Sequence, residues 1–191
     1  MTHELLNKYM SKKPILNCPK PSSEITHAQR LYIAYLRWLG GHSKHWNINV
    51  CWHVPEAMRR YYGGYDADWL AKELTRYFNK IDRRIYKAAY TNRGIRLQRI
   101  ITLEYDDAVG WHAHGILECA LGMDEEQTLT LLQNMWREHT ARFSKGKFEK
   151  HEFWGETDNG FYLPYILKRV HRQNKTTLGI LDTKNTYFLD N

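Results

Sequence analysis

Two neighbouring stretches of the chain decide the fold: residues 99–105 (RIITLEY) and residues 111–118 (WHAHGILE), joined by residues 106–110 (DDAVG). Both stretches resemble β-strands in composition, and a five-residue connection with glycine last is typical of a β-hairpin. We therefore expect two antiparallel strands. Closing them over the five-residue connection pairs Tyr105 with Trp111 and Glu104 with His112.

The predicted hairpin brings together three side chains that can bind a metal ion. Successive residues of a strand point to opposite faces, so His112 and His114 share one face, and the register adds Glu104 to it. Two imidazoles and a carboxylate suit a divalent ion such as Mn²⁺ or Mg²⁺, with positions left open for water or phosphate. The alternative is a polar strand edge that faces solvent, because a His-x-His pair arises easily by chance in a chain with ten histidines.

Outward from the hairpin, hydrophobic spacing predicts four helices and two further strands. The helices span residues 24–39, 66–90, 124–143 and 158–171, and the strands span residues 46–52 and 148–154. In the strand 46–52, polar Asn47 and Asn49 alternate with apolar residues, which predicts one wet face. The order of elements predicts an α+β fold, with an antiparallel sheet of about five strands and flanking helices.

Composition limits the classes of protein that fit. The chain has 191 residues and a net charge of +7, with 28 Lys and Arg against 21 Asp and Glu, which favours a polyanionic partner. We expect a polar, flexible lead-in over residues 1–23 and a single domain over residues 24–191. No apolar run reaches the length of a bilayer span, so neither membrane insertion nor secretion is expected.

The cysteines and the absence of a nucleotide-binding motif further limit the class of protein that fits. Three cysteines with no C-x-x-C argue against a disulfide framework or a four-cysteine zinc site, and favour a reducing cytoplasm. The fragment Cys51-Trp52-His53 has no second pair at zinc spacing, so we interpret it as plain strand. The chain also lacks G-x-x-x-x-G-K-[ST], which excludes a P-loop ATPase module of that type.

A tyrosine-rich segment follows near the C-terminus, residues 160–172 (GFYLPYILKRVHR). Pro164 is tolerated only in the first turn of a helix, so Tyr162 falls before or at the helix start. Tyr165 and Lys168 then lie on one helix face, with further cations nearby. A phenol beside cations suits a nucleophile directed at a phosphodiester, whereas the alternative is an amphipathic basic helix that packs Tyr165 into the core.

These two motifs resemble those of the HUH endonucleases, the rolling-circle replication initiators of small phages, plasmids and viruses. His112-Ala113-His114 resembles their metal-binding strand, and Tyr165-Ile166-Leu167-Lys168 resembles their nucleophile helix. Glu104 is similar in position to the glutamate that often completes the metal site. The resemblance covers residues 46–172 and implies a sheet like the ferredoxin-like palm of that family.

The resemblance implies a function as well as a fold. A divalent ion would polarise a scissile phosphate, and Tyr165 would attack it to leave a 5′-phosphotyrosine and a free 3′-OH, with Lys168 assisting. Tyr162 is a rival or second nucleophile, since some family members use two tyrosines. The substrate would be single-stranded DNA or an origin hairpin, and a host helicase and polymerase would be partners.

Candidate DNA contacts lie outside the two motifs. Phosphate neutralisation or base stacking is predicted for a set of cationic and aromatic residues: Arg96, Arg99, Arg169, Arg172 and Tyr62. Ordinary loop positions are the alternative for Arg96, Arg99 and Tyr62. Three other functions remain open: a transposase or relaxase of the same chemistry, a non-catalytic basic DNA-binding regulator with structural histidines, and a metallohydrolase that uses water instead of Tyr165.

Overall fold

The structure, a computed structural model, describes residues 33–35, 37–39, 46–61, 66–144, 152–157, 162–167 and 177–188. The strands are β1 (Ile48–His53), β2 (Arg99–Asp106), β3 (Gly110–Leu117), β4 (Phe153–Thr157) and β5 (Thr177–Leu181). The helices are α1 (Glu56–Tyr61), α2 (Ala67–Tyr86), α3 (Ala88–Arg93), α4 (Glu125–Ser144) and α5 (Tyr162–Leu167). Residues 33–35 and 37–39 are also helical. The predicted lead-in, residues 1–23, lies outside the described residues.

The five strands form one sheet in the order β4-β1-β3-β2-β5, and every neighbouring pair is antiparallel. Strand β3 therefore lies between β1 and β2, which run parallel to each other and are linked through α2. In the same way β1 lies between β3 and β4, which are linked through α4. Two interleaved β-α-β units of this kind make the ferredoxin-like arrangement, and β5 extends it beyond β2. The predicted α+β fold is confirmed.

The β2–β3 hairpin has the predicted register, with Glu104 opposite His112 and Tyr105 opposite Trp111. Its turn is tighter than expected, because Asp106 and Gly110 also pair and leave only residues 107–109 outside the ladder. The Asp106 carboxylate accepts the Ala108 N–H at 2.9 Å, and Gly110 takes a φ of 74°. That left-handed conformation is available to glycine at little cost, so the sequence can close the turn in three residues.

One face of the sheet packs against α2 and α4 and forms the larger core. Trp52 lies fully buried at its centre, with the rings of Tyr77, Phe78 and Phe153 edge-on at centroid distances of 6.1, 5.5 and 6.3 Å. Gly115 of β3 lies against the Trp52 ring, where a Cβ atom would come within 2.6 Å of Cζ3. Burial of this aromatic cluster removes a large apolar area from water and stabilises the sheet–helix contact.

The opposite face of the sheet packs against α5. A smaller core joins α5 and the helical residues near position 39 to the sheet; its buried apolar members include Leu39, Ile100, Ile116, Ile166, Leu167 and Leu181. Because His112 and His114 lie in the same row of β3 as Ile116, the same face carries both histidines. The part of this face that carries the histidines is the candidate site.

Several predicted elements differ from those observed. The helix predicted over residues 66–90 divides at Lys87, whose φ is 46°, into α2 and α3, and α3 buries none of its residues against the core. Of the strand predicted over residues 148–154, residues 148–151 lie outside the described residues, and the described strand runs over Phe153–Thr157. Asn49 is buried rather than facing water, because β1 lies inside the sheet and both of its faces are covered. Neither α1 nor β5 was predicted as an individual element.

None of the described helices is long and apolar enough to cross a membrane.

Candidate metal centre and its cavity

Glu104 of β2 and the two histidines of β3 converge on the face of the sheet that packs against α5. The Glu104 Oε2 to His114 Nε2 distance is 3.4 Å, and the Glu104 Oε1 to His112 Nε2 distance is 3.9 Å. One ligand atom from each of the three buried residues lies within 4.8 Å of the others. The predicted convergence of Glu104, His112 and His114 on one face is confirmed.

A backbone contact sets the protonation of His112. Its Nδ1 lies 3.0 Å from the Gly110 carbonyl oxygen, which can only accept a hydrogen bond, so Nδ1 carries the proton. Burial lowers the pKa of His112 and outweighs the attraction of Glu104 for a proton, which favours the neutral ring. Nε2 therefore presents a lone pair towards Glu104. The turn that closes the hairpin thus also fixes the tautomer of one ligand.

The partner of His114 Nδ1 is a side chain, whereas the partner of His112 Nδ1 is a backbone carbonyl. The His114 Nδ1 lies 2.9 Å from the Tyr162 hydroxyl, and that hydroxyl lies 3.5 Å from the Val50 carbonyl oxygen. Burial, with Cys51, Tyr165 and the carboxylates nearby, raises the pKa of the Tyr162 phenol well above its usual range. Tyr162 is therefore a neutral hydroxyl that can both donate and accept a hydrogen bond.

The chemistry of the donor set fits a cation. Ligand atoms bound at about 2.1 Å to one ion lie about 3 to 3.4 Å apart, close to the separations of Glu104 from the two histidines. The three residues lie in a cavity of about 680 Å³ whose described lining includes the carboxylates of Glu104, Asp106 and Glu156 and no lysine or arginine. A divalent ion would balance this concentration of negative charge.

Strand β1 contributes two residues to the cavity that sequence reasoning had assigned to plain strand. Cys51 pairs in register with His114, and His53 pairs with His112. The His53 and His112 rings are parallel at a centroid distance of 5.1 Å, and the Cys51 Sγ lies 3.2 Å from His53 Nε2. Burial, with Glu104 adding to it, raises the pKa of Cys51 to about 12, so the sulfur is held as a thiol. Their alternation along the strand was visible in the sequence, but the pairing of β1 with β3 was not.

The two candidate tyrosines lie on α5 in different environments. Tyr162 is 8% exposed, whereas Tyr165 is 44% exposed and lies at the cavity with its ring edge-on to His114 at 5.8 Å. Their rings stack on each other at 5.4 Å. Trp154 of β4, 44% exposed, adds a third ring to the same wall of the cavity, 6.2 Å from Tyr162.

The residues predicted to contact DNA lie in different places in the structure, and some lie outside the described residues. Arg99 is 2% exposed, and its guanidinium binds both carboxylate oxygens of Asp82 at 3.1 Å, so its predicted contact with DNA is wrong. Arg96 is held between α2 and α3, 2.9 Å from the Asn79 Oδ1 and over the Tyr90 ring, and does not line the cavity. Four predicted site residues lie outside the described residues: Tyr62, Lys168, Arg169 and Arg172.

Arg99 shows that a position in a basic stretch of sequence does not by itself indicate a DNA contact. Alternation along β2 places Arg99 on the face of Ile101 and Leu103, beneath α2, where Asp82 meets it. A buried guanidinium needs such a carboxylate, so Arg99 is engaged inside the protein rather than by a ligand.

Comparison of the chain with protein-family models, with curated proteins and with solved structures gives no match.

Proposed function

We propose that this chain is a metal-dependent enzyme that nicks and joins single-stranded DNA through a tyrosine, in the manner of the HUH endonucleases. One observation carries the proposal: a buried Glu104, His112, His114 group lies in a cavity that also holds an exposed tyrosine, Tyr165. The metal site and the nucleophile come from elements about fifty residues apart in sequence, so their meeting in one cavity is a property of the fold.

The proposed ion is Mn²⁺ or Mg²⁺, held by Glu104, His112 and His114. When bound, it supplies Lewis-acid polarisation of a phosphate and offsets charge that develops in the transition state. Two imidazoles among the ligands favour Mn²⁺ over Mg²⁺, which prefers an all-oxygen shell. The carboxylates of the cavity would repel a phosphate in the absence of a cation, so metal binding should precede productive DNA binding.

Tyr165 is the proposed nucleophile, because its side chain is 44% exposed and lines the cavity, whereas Tyr162 is 8% exposed. In the step, the Tyr165 oxygen forms a bond to phosphorus and the bond from phosphorus to the 3′ oxygen breaks. The phenolic proton is balanced by the proton that the released 3′-hydroxyl gains. The phosphodiester energy is retained in the phosphotyrosine, so the reverse step can join strands without ATP.

The exposed aromatic rings of the cavity support a single strand as substrate. Exposed aromatic rings beside the reacting group, Trp154 and Tyr165, offer stacking surfaces for unpaired bases, and the net charge of +7 favours a polyanion. Initiation of rolling-circle replication in the cytoplasm of a host cell is the role we propose, with host helicase and polymerase doing the unwinding and synthesis. A transposase or relaxase would use the same site.

The test is adduct formation with a single-stranded DNA library that carries a randomised region, in the presence of Mn²⁺. We expect a covalent protein–DNA adduct on a denaturing gel with the wild type, and its loss in Tyr165→Phe. Phe keeps the ring and its stacking, so DNA binding should persist. Tyr105→Phe is the matched control, because Tyr105 lies on the same hairpin but alternates onto the opposite face of the sheet.

Each other outcome points elsewhere. An adduct that survives Tyr165→Phe but not Tyr162→Phe would move the nucleophile to Tyr162 and keep the class of enzyme. Cleavage without any adduct in both single variants and in the double variant would show a metallohydrolase that uses water. If the wild type cleaves no strand with Mn²⁺ or Mg²⁺, the nuclease proposal is wrong and a DNA-binding regulator becomes the better interpretation.

A further inference from the structure

Each histidine of the candidate metal centre has one ring nitrogen turned towards Glu104 and the other turned towards an oxygen. For His112 that oxygen belongs to the backbone of Gly110, at 3.0 Å. For His114 it belongs to the Tyr162 hydroxyl, at 2.9 Å. A carbonyl can only accept, whereas a hydroxyl can serve either tautomer of the ring. The two ligands are therefore oriented by groups of different kinds.

We propose that Tyr162 is a positioning residue, whose hydroxyl holds His114 in the tautomer and ring orientation that present Nε2 to a divalent ion. The inference rests on the metal site of the proposed function, and it is independent of the identity of the nucleophile. The two tyrosines of α5 thus have different proposed roles: Tyr165 is the nucleophile, and Tyr162 orients a ligand of the ion.

The direction of the hydrogen bonds follows from the binding of the ion. When Nε2 of His114 is a ligand, the neutral ring carries its proton on Nδ1, and Nδ1 must donate. The Tyr162 oxygen accepts that proton, and the Tyr162 hydroxyl then donates to the Val50 carbonyl 3.5 Å away. The two hydrogen bonds therefore point the same way, from His114 to Tyr162 and from Tyr162 to the backbone of strand β1.

Burial makes the hydroxyl costly to remove. His114 and Tyr162 are both less than 9% exposed, so an Nδ1–H group without the phenol would lose a hydrogen bond in a place that water reaches poorly. Only the metal-bound form requires the proton on Nδ1, and the metal-free ring can adopt the other tautomer. Loss of the hydroxyl should therefore weaken metal binding more than it weakens folding.

The experiment measures Mn²⁺ binding to the 191-residue chain by calorimetry in the wild type, Tyr162→Phe and Tyr105→Phe. We expect Tyr162→Phe to weaken Mn²⁺ binding about 10- to 100-fold, the range typical of a lost partner behind a ligand. Tyr105→Phe, a matched control on the opposite face of the sheet, should bind Mn²⁺ within about twofold of the wild type. The His114→Gln background tests the route: there the further change Tyr162→Phe should have no effect on Mn²⁺ affinity.

A second measurement does not depend on any variant at Tyr162. Histidine side-chain ¹⁵N spectra of the wild type, recorded with Zn²⁺ as a diamagnetic probe and assigned with His114→Gln, should show His114 protonated on Nδ1. Equal Mn²⁺ affinity in the wild type and Tyr162→Phe, or a His114 ring protonated on Nε2 with the ion present, would refute the positioning role alone. A wild type that binds neither ion would refute the metal centre and this inference together.

Discussion

The packing of Gly115 against Trp52 yields a prediction whose size can be worked out from the structure. A methyl group at position 115 would lie 2.6 and 2.8 Å from Cζ3 and Cη2 of Trp52 and 2.9 Å from Cδ1 of Ile101. Carbon atoms in contact prefer about 3.5 Å or more, so the indole ring would have to retreat by about 0.7 to 0.9 Å. Trp52 is fully buried among other aromatic rings and has little room to move.

We therefore expect Gly115→Ala to lower the free energy of unfolding by about 2 kcal/mol. Overpacking of a dense core costs about 1 to 3 kcal/mol, and replacing a flexible glycine in a strand recovers about 0.5 to 1 kcal/mol. In a Trp52→Phe background the two clashing ring atoms are gone. The same Gly115→Ala change should then cost less than about 1 kcal/mol, a coupling of about 1 to 2 kcal/mol between the two positions.

The assay is urea denaturation of the wild type, the two single variants and the double variant. Gly155→Ala is the matched control: Gly155 lies across β1 from Gly115, but its nearest neighbour is Leu129 Cδ2 rather than Trp52. Its effect should add to that of Trp52→Phe within about 0.5 kcal/mol. If the effects of Gly115→Ala and Trp52→Phe on the free energy of unfolding also add within about 0.5 kcal/mol, the reasoning is refuted. The indole ring would then not be what excludes a side chain from position 115.

Three further predictions concern the metal centre and the buried ion pairs. Mn²⁺ at about 100 times its dissociation constant should stabilise the wild type by about 2.7 kcal/mol and leave the denaturation midpoint of Glu104→Gln almost unchanged. Arg99→Met leaves the buried Asp82 with the Leu97 N–H and the more distant guanidinium of Arg96, and should cost about 3 kcal/mol in a denaturation curve, part of which Asp82→Asn restores. Burial lowers the pKa of His139 from 6.5 to about 4, so between these pH values the unfolded chain binds more protons than the folded one and stability falls as the pH falls. Urea curves at pH 7 and pH 4.5 should show His139→Gln, which can still donate to Glu73, losing about 2 kcal/mol less than the wild type. An equal loss in both proteins would contradict the assignment.

The sequence determined the features that depend on local period and loop length. Alternation along β2 and β3, with a short connection that ends in Gly110, was enough to place Glu104 opposite His112 and on the same face as His114. A slip of one residue would have moved Glu104 to the other face, and the hydrophobic pattern of both strands opposes such a slip. The cores of α2 and α4 followed from helical spacing in the same way, because a helix repeats every 3.6 residues whatever it packs against.

Only the tertiary structure decided which polar groups are buried and what they meet. Arg99 stood in a basic stretch and was expected at a surface, but the alternation of β2 directs it under α2 and onto Asp82. Tyr162 and Tyr165 are three residues apart and alike in sequence, yet one is held by His114 and the other is exposed to the cavity. Strand β1 brought Cys51 to His114, although 63 positions of sequence separate them. Burial and pairing of this kind depend on contacts between elements that are distant along the chain. The local periodicity of the sequence contains no information about those contacts.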